Sequence, residues 1–262
     1  MKSRPTTSQP YHSLEAELHD AFWDVEDASS EIPLMANFLK KHPGPALEIG
    51  SGSGRLMFPL LKAGLEIEGL ELSADMLALG KVRAQKLGVN PIVHSGDMTD
   101  WQAPHAFAAL LAPAFTLQLA ADPLATLRHW HGWLQNHGGL YLTVFMPYAE
   151  LLGDLPENEW YPDHQATLAD GRDGMLETRH RLDRANQMIH REHRYSVSGN
   201  PPLHYQSQQS IRWIEHTKML TLLEQSSFRL DRFYLDFDPS HTAENPDDVD
   251  FDGILTYEAT RR

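Results

Sequence analysis

The sequence predicts an α/β fold in which a mostly parallel sheet carries helices on both faces. Three observations carry that expectation. Short apolar runs alternate with segments of helical period from residue 44 to 146. The runs are near-continuously apolar, as strands covered on both sides must be. Glycine or proline punctuates most of the junctions between them. A chain of 262 residues is long enough for one large domain or two small ones. The pattern divides it into an N-terminal helical cover, 1–43, a core formed by 44–146 and 216–262, and an inserted antiparallel subdomain, 147–215.

Taken in order, residues 1–10 are polar and hold two prolines, which predicts a loose start. Leu14, Leu18, Ala21 and Phe22, then Ile32, Leu34, Met35, Phe38 and Leu39, recur at helical spacing. Ala46–Ile49 reads as a strand, Leu56–Leu61 as a helix and Leu65–Leu72 as a strand. Ser73 is a suitable N-cap for a helix that ends at Gly88. Pro91–His94 and Ala106–Ala112 read as strands. Asp122-Pro123 is a helix start, a capping carboxylate followed by proline at the first helical position. That helix runs to the Gly138-Gly139 pair, and Leu140–Phe145 follows as a buried strand. Pro147 to Gly174 reads as loop-rich. From Met175 to Tyr205 the period changes to two, with Leu176, Thr178, His180 and Leu182 on one side and Glu177, Arg179, Arg181 and Asp183 on the other. A helix from about Thr217, a strand Phe228–Phe237, an acidic loop and a strand Gly253–Thr260 complete the chain.

Composition narrows the function. The formal charge is −14, which repels a phosphate backbone and argues against nucleic-acid partners. There is no cysteine, so disulfides, thiolate metal sites and cysteine nucleophiles are excluded. Fifteen histidines are present without an H-E-x-x-H pattern, and no metal site is expected. The run Asp247–Asp252 lacks the glycine and glutamate of a calcium loop and reads as a solvated acidic loop. No apolar run approaches the ~20 residues of a membrane span. The expected setting is cytoplasmic, as a monomer or homodimer.

The segment Glu48-Ile49-Gly50-Ser51-Gly52-Ser53-Gly54 lies between a strand and a helix, where glycines permit a sharp turn and close approach of a ligand. Glu71 follows at the end of the next strand, placed to accept hydrogen bonds from both hydroxyls of a ribose. The dinucleotide fingerprint needs a glycine where Arg55 stands, and no G-x-x-x-x-G-K-[ST] phosphate loop occurs. LEIGSGSGRL, GLELSADML, HSGDMTDW and LQNHGGLYLTVF, in that order over residues 44–146, resemble the successive motifs of the class I S-adenosylmethionine-dependent methyltransferases.

The resemblance implies a Rossmann-like, seven-stranded, mostly parallel sheet, with S-adenosyl-L-methionine as cofactor and S-adenosyl-L-homocysteine as product. It implies that Gly50, Ser51 and Gly52 lie against the methionine part, with Glu48 reaching its amino group. Glu71 would hold the ribose, Leu72 and Met76 would flank the adenine, and Asp97 would accept from its amino group beside Met98. Ala112 to Phe115 would lie close to the reactive methyl. Arg55 is assigned either to the cofactor carboxylate or to an acidic helix. This chain departs from many members in having Ala106-Phe107-Ala108, without an acid, at the start of its fourth strand.

The acceptor expected is a small molecule, with Trp160, Trp213 and Phe115 as candidate substrate contacts. Tyr11 and His12 in the cover, with His204, Tyr205 and Arg212 in the inserted sheet, are candidate catalytic groups. Rival readings are a non-catalytic cofactor-binding regulator, a dinucleotide-dependent oxidoreductase, and a transferase of another part of the same cofactor.

Overall fold

The computed structural model describes residues 11–23, 28–168, 170–242 and 253–262. The expected loose start and the acidic run 247–252 lie outside these residues. Helices α1 (Leu14–Trp23) and α2 (Ala28–Lys41) precede the sheet. The alternating core follows: β1 (Ala46–Ile49), α3 (Met57–Lys62), β2 (Ile67–Glu71), α4 (Ala74–Leu87), β3 (Val93–Ser95), β4 (Phe107–Ala112), a 3₁₀ turn at Thr116–Leu119, α5 (Pro123–Trp133) and β5 (Leu134–Phe145). Then come α6 (Tyr148–Leu152), β6 (Tyr161–Thr167), β7 (Asp173–Asp183), β8 (Met188–Val197) and β9 (Leu203–Arg212). The chain closes with α7 (His216–Gln225), β10 (Phe228–Leu235) and β11 (Ile254–Arg261).

Seven strands form one sheet in the order β10-β11-β5-β4-β1-β2-β3. The five from β5 to β3 are parallel, and β11 runs antiparallel to both β5 and β10. Chain order reverses between β1 and β4, so the crevice beyond their carboxyl ends is where a sheet of this type receives a ligand. Strand side chains alternate between two cores. Leu47, Leu110 and Leu142 meet Leu127, Trp130 and Leu223 on one face. Ala46, Leu111 and Tyr141 meet Phe38, Met57 and Ala84 on the other.

The predicted caps form. Ser73 Oγ accepts from Met76 N at 3.2 Å, Gly88 closes α4 in the left-handed conformation, and Asp122 accepts from Ala125 N at 3.0 Å. Two readings need correction. Strand β5 begins at Leu134, because the chain re-enters the sheet with a register shift against β4 before the glycine pair, and pairing resumes at Gly139. The segment 147–174 holds α6 and β6. The latter is an edge strand of polar residues containing Pro162 and a bulge, so it lacks the apolar alternation that announces a strand.

Strands β6-β7-β8-β9 form the inserted antiparallel sheet. Leu176, Tyr195 and Val197 on its inner face pack against Leu14, Leu18 and Phe22 of α1. Beside them lies a polar chain whose inner members, Thr178 and His193, are buried. Thr178 Oγ1 donates to Asp163 Oδ2 at 2.5 Å, so its contact with His193 Nδ1 at 2.9 Å must be a bond that the imidazole donates. Burial pushes His193 down to about 4, helped by the charge of Arg191. A histidine whose folded value lies below its unfolded one leaves the unfolded state holding more protons between the two values. Stability is therefore expected to fall as pH drops from about 6.5 towards 4, and urea melts of His193→Gln should show a shallower fall across that window.

Candidate active site

The site is assembled where β1, β2 and β3 end. Gly50 N and Ser51 N both donate to Leu70 O, at 2.8 and 3.0 Å, which carries the pairing of β1 with β2 one step past the strand. The chain then turns through positive φ at Gly50 (+71°) and Gly52 (+56°). A Cβ at Gly50 would lie 3.0 Å from Thr116 Oγ1, and one at Gly52 would lie 3.2 Å from Met76 Cε, so both conformation and space call for glycine.

Glu71 fastens this bend to the next helix. Its Oε2 accepts from Gly52 N at 2.8 Å and its Oε1 from Ser73 N at 2.7 Å. At the end of β3, Asp97 Oδ1 accepts from Thr99 N at 2.8 Å and Thr99 Oγ1 at 2.7 Å, and the neighbouring Met98 carbonyl is held by Trp130 Nε1 at 3.0 Å. After β4, Ala114 and Phe115 take successive left-handed conformations, φ 49° and 64°. Such a pair is strained for residues with side chains. Thr116 Oγ1 donates to Pro113 O at 2.7 Å across that turn.

Helix α1 and the residues before it close the site from above. Ser73 Oγ donates to Tyr11 O at 2.6 Å, and Asp75 Oδ2 accepts from Ser13 N at 2.9 Å beside His12. Further along, Asp20 accepts from Ser53 Oγ at 2.7 Å and from Arg83 Nη1 at 2.9 Å, which joins α1 to both the glycine bend and α4. Arg83→Ala should loosen this closure. The expected result is a cofactor KM raised about fivefold with kcat nearly unchanged, read from initial rates at saturating acceptor.

These walls enclose a cavity of about 540 Å³. Of the residues expected to hold a cofactor, Glu48, Gly50, Ser51, Gly52, Arg55, Glu71, Leu72, Met76, Asp97 and Met98 line it, whereas Ala112 lies buried in β4 behind Pro113. Glu48 is 2% exposed and burial drives its carboxyl well above the usual range. Among the described residues its Oε2 has no hydrogen-bond partner. An orphaned buried carboxylate on a cavity wall suits a cationic group of the ligand.

Among the catalytic candidates, His12 lines the cavity, and so does Tyr11. Its hydroxyl accepts from Gln209 Nε2 at 3.2 Å, and enclosure pushes the phenol up to about 12, so it stays protonated near neutrality. His204 is exposed near the start of β9, Tyr205 lies beside Tyr195 with the two rings tilted at 44°, and Arg212 donates to Asn186 O at the β7–β8 turn. All three lie outside the cavity wall.

The aromatic candidates also lie outside it. Trp213 is packed in the core, 4% exposed. Trp160 lies beneath Arg194, whose guanidinium carbon is 3.6 Å from the ring centroid. Phe115 turns its ring onto Phe145, 5.4 Å away. Sequence reasoning missed His19, Ser53, Ser73, Thr116, Leu119 and the β9 segment Gln208–Ser210, which form further parts of the wall. Ser53 and Ser73 sit inside recognised motifs and were within reach. Gln208–Ser210 carry no local signal.

Comparison with known proteins agrees with this geometry. Residues 46–138 match the model of the methyltransferase domain family. The dTDP-3-amino-3,6-dideoxy-alpha-D-glucopyranose N,N-dimethyltransferase of Streptomyces fradiae is 32% identical over 100 residues. That match takes in 36% of this chain and 38% of the relative, so well under half of the curated relative's length is spanned. A S-adenosylmethionine-dependent methyltransferase from Clostridium acetobutylicum superimposes with a TM-score of 0.76 at 11% identity, covering 94% of this chain and 97% of that one. The sugar N-methyltransferase KedS8 from Streptoalloteichus gives 0.73 at 17% identity, covering 100% and 98%. Residues 46–138 therefore match the methyltransferase domain family, within a chain that has the fold of S-adenosylmethionine-dependent methyltransferases.

Proposed function

We propose that the protein transfers a methyl group from S-adenosyl-L-methionine to the amino nitrogen of a small, sugar-like acceptor. The observation that carries this reading is the wall shared by Glu48, the Gly50–Gly54 bend, Glu71 and Asp97. It offers a carboxylate at each of three successive strand ends around one cavity. Glu71 would accept from the ribose hydroxyls, Asp97 from the adenine amino group, and Glu48 would face the ammonium of the methionine end. The bound cofactor supplies an activated methyl, so the chain's task is to align the acceptor and exclude water.

Tyr11, protonated and tethered to Gln209, is suited to donate a hydrogen bond to the acceptor rather than to remove its proton. Leu119, Ala120 and Ala121 with Pro113 make the opposite wall largely apolar. The net charge of −14 supports a small acceptor over nucleic acid. The names of the Streptomyces and Streptoalloteichus relatives supply the sugar nitrogen as the atom to try first.

The test is incubation with methyl-labelled cofactor and a panel of amino sugars, free and nucleotide-linked, followed by mass spectrometry. Label on a sugar nitrogen supports the proposal. Tight binding of S-adenosylhomocysteine without label on any acceptor favours the regulator. Displacement of that ligand by a nicotinamide dinucleotide favours the oxidoreductase.

A further inference from the structure

Beneath the glycine bend lies a second set of charges that the scheme above uses only in part. Glu31, on α2, is 4% exposed, and its Oε1 accepts from Tyr141 Oη on β5 at 3.3 Å. Glu48, on β1, is equally enclosed, and its Oε2 finds no hydrogen-bond partner among the described residues. Arg55 reaches the cavity wall from the turn before α3 and attracts both carboxylates. Two carboxylates against one guanidinium leave buried charge uncompensated, which is costly. The pair relieves it by keeping a proton. Burial raises Glu31 to about 7, opposed by Arg55 and by the Tyr141 hydroxyl, and Glu48 lies well above the ordinary carboxylate range through burial and the charge of Glu31.

A ligand with an ammonium beside a carboxylate complements this trio, the ammonium at Glu48 and the carboxylate at Arg55. We infer that Glu31 is a positioning residue for the amino-acid tail of the cofactor. By sharing the charge of Arg55 from the side away from the cavity, it keeps the guanidinium from collapsing onto Glu48 and leaves it available to the ligand carboxylate. The inference rests on the cofactor reading of the preceding subsection and assigns Arg55 to both partners that the sequence left open. The groups facing Glu31 are Arg55, Glu48 and Tyr141, and Tyr234 of β10 adjoins Tyr141.

Calorimetric titration of the full chain with two probes tests it: S-adenosylhomocysteine, and 5′-methylthioadenosine, which keeps the nucleoside and thioether but has no amino-acid tail. Glu31→Gln should weaken S-adenosylhomocysteine about tenfold and leave methylthioadenosine unchanged. In the wild type, affinity for S-adenosylhomocysteine should fall from pH 8 to pH 6 as the carboxylates take up protons, with methylthioadenosine flat over the same range.

Equal weakening of both probes by Glu31→Gln, or of neither, overturns the assignment. So does a wild-type pH profile shared by the two probes, and that comparison needs no substitution that might disturb folding. A wild-type chain that binds neither probe overturns the cofactor reading itself, and the role of Glu31 with it.

Discussion

Glu71→Ala is expected to cost the protein at least a hundredfold in affinity for S-adenosylhomocysteine and to lower its thermal midpoint. The side chain accepts from Gly52 N and Ser73 N, so its removal strands two backbone donors and unties the glycine bend from the start of α4. Each hydrogen bond to a charged group is worth roughly 1.5–3 kcal/mol, and under the proposed placement of the cofactor the ribose loses its partner as well. Glu71→Gln separates the two effects. Its amide oxygen can accept from one of the two N–H groups, but its NH₂ repels the other. The midpoint should recover in part while affinity stays low. Calorimetry beside a thermal melt reads both, and an alanine variant that binds like the wild type would remove the ribose assignment.

Trp130→Ala should be the most damaging single truncation in the core. The side chain is fully buried on α5 among Leu127, Leu142 and their neighbours, and removing an aromatic of this size typically costs about 3–5 kcal/mol. That is a large part of the roughly 5–15 kcal/mol that holds a domain folded. Urea unfolding should show a lower midpoint with an unchanged slope. Trp130→Phe is the informative partner. It keeps most of the packing and loses the bond from Nε1 to the Met98 carbonyl, next to the Asp97–Thr99 turn. This variant should fold and bind S-adenosylhomocysteine several-fold more weakly, with the loss located at the adenine end.

The parts of this architecture that were legible in the sequence are those decided within a few residues. Ser73 and Gly88 bracket α4, Asp122-Pro123 opens α5, and the glycine bend with Glu71 one strand later lies at consecutive strand ends. Each signal combines a residue type with a backbone requirement that it meets locally. The alternation in Leu176, Thr178, His180 and Leu182 likewise told which side of β7 is covered.

What stayed hidden depends on partners far apart in the chain. Asp20 and Arg83 meet across 63 positions, and Glu31 and Tyr141 across 110. Nothing near Gln208–Ser210 reveals that β9 is terminal in its sheet and borders the cavity. Trp213 shows the same limit from the other side. An aromatic residue just past a strand end reads alike whether it fills a core or faces a ligand, and here Ile211, Ile214 and Met219 of the same core settle the matter.

The position of β9 at the margin of its sheet has a consequence for how this scaffold can diversify. Hydrophobic packing claims Ile211 on the inward side, where Ser207 is also buried, while Gln208 and Ser210 are exposed and help bound the cavity. Replacing those two alters the chemistry offered to an incoming molecule without removing any residue from either core or from the strand ends that line the cavity. Under the proposed function, new acceptor preferences are thus accessible through a handful of codons on a strand that pairs with a single neighbour in its sheet, at little expense to folding.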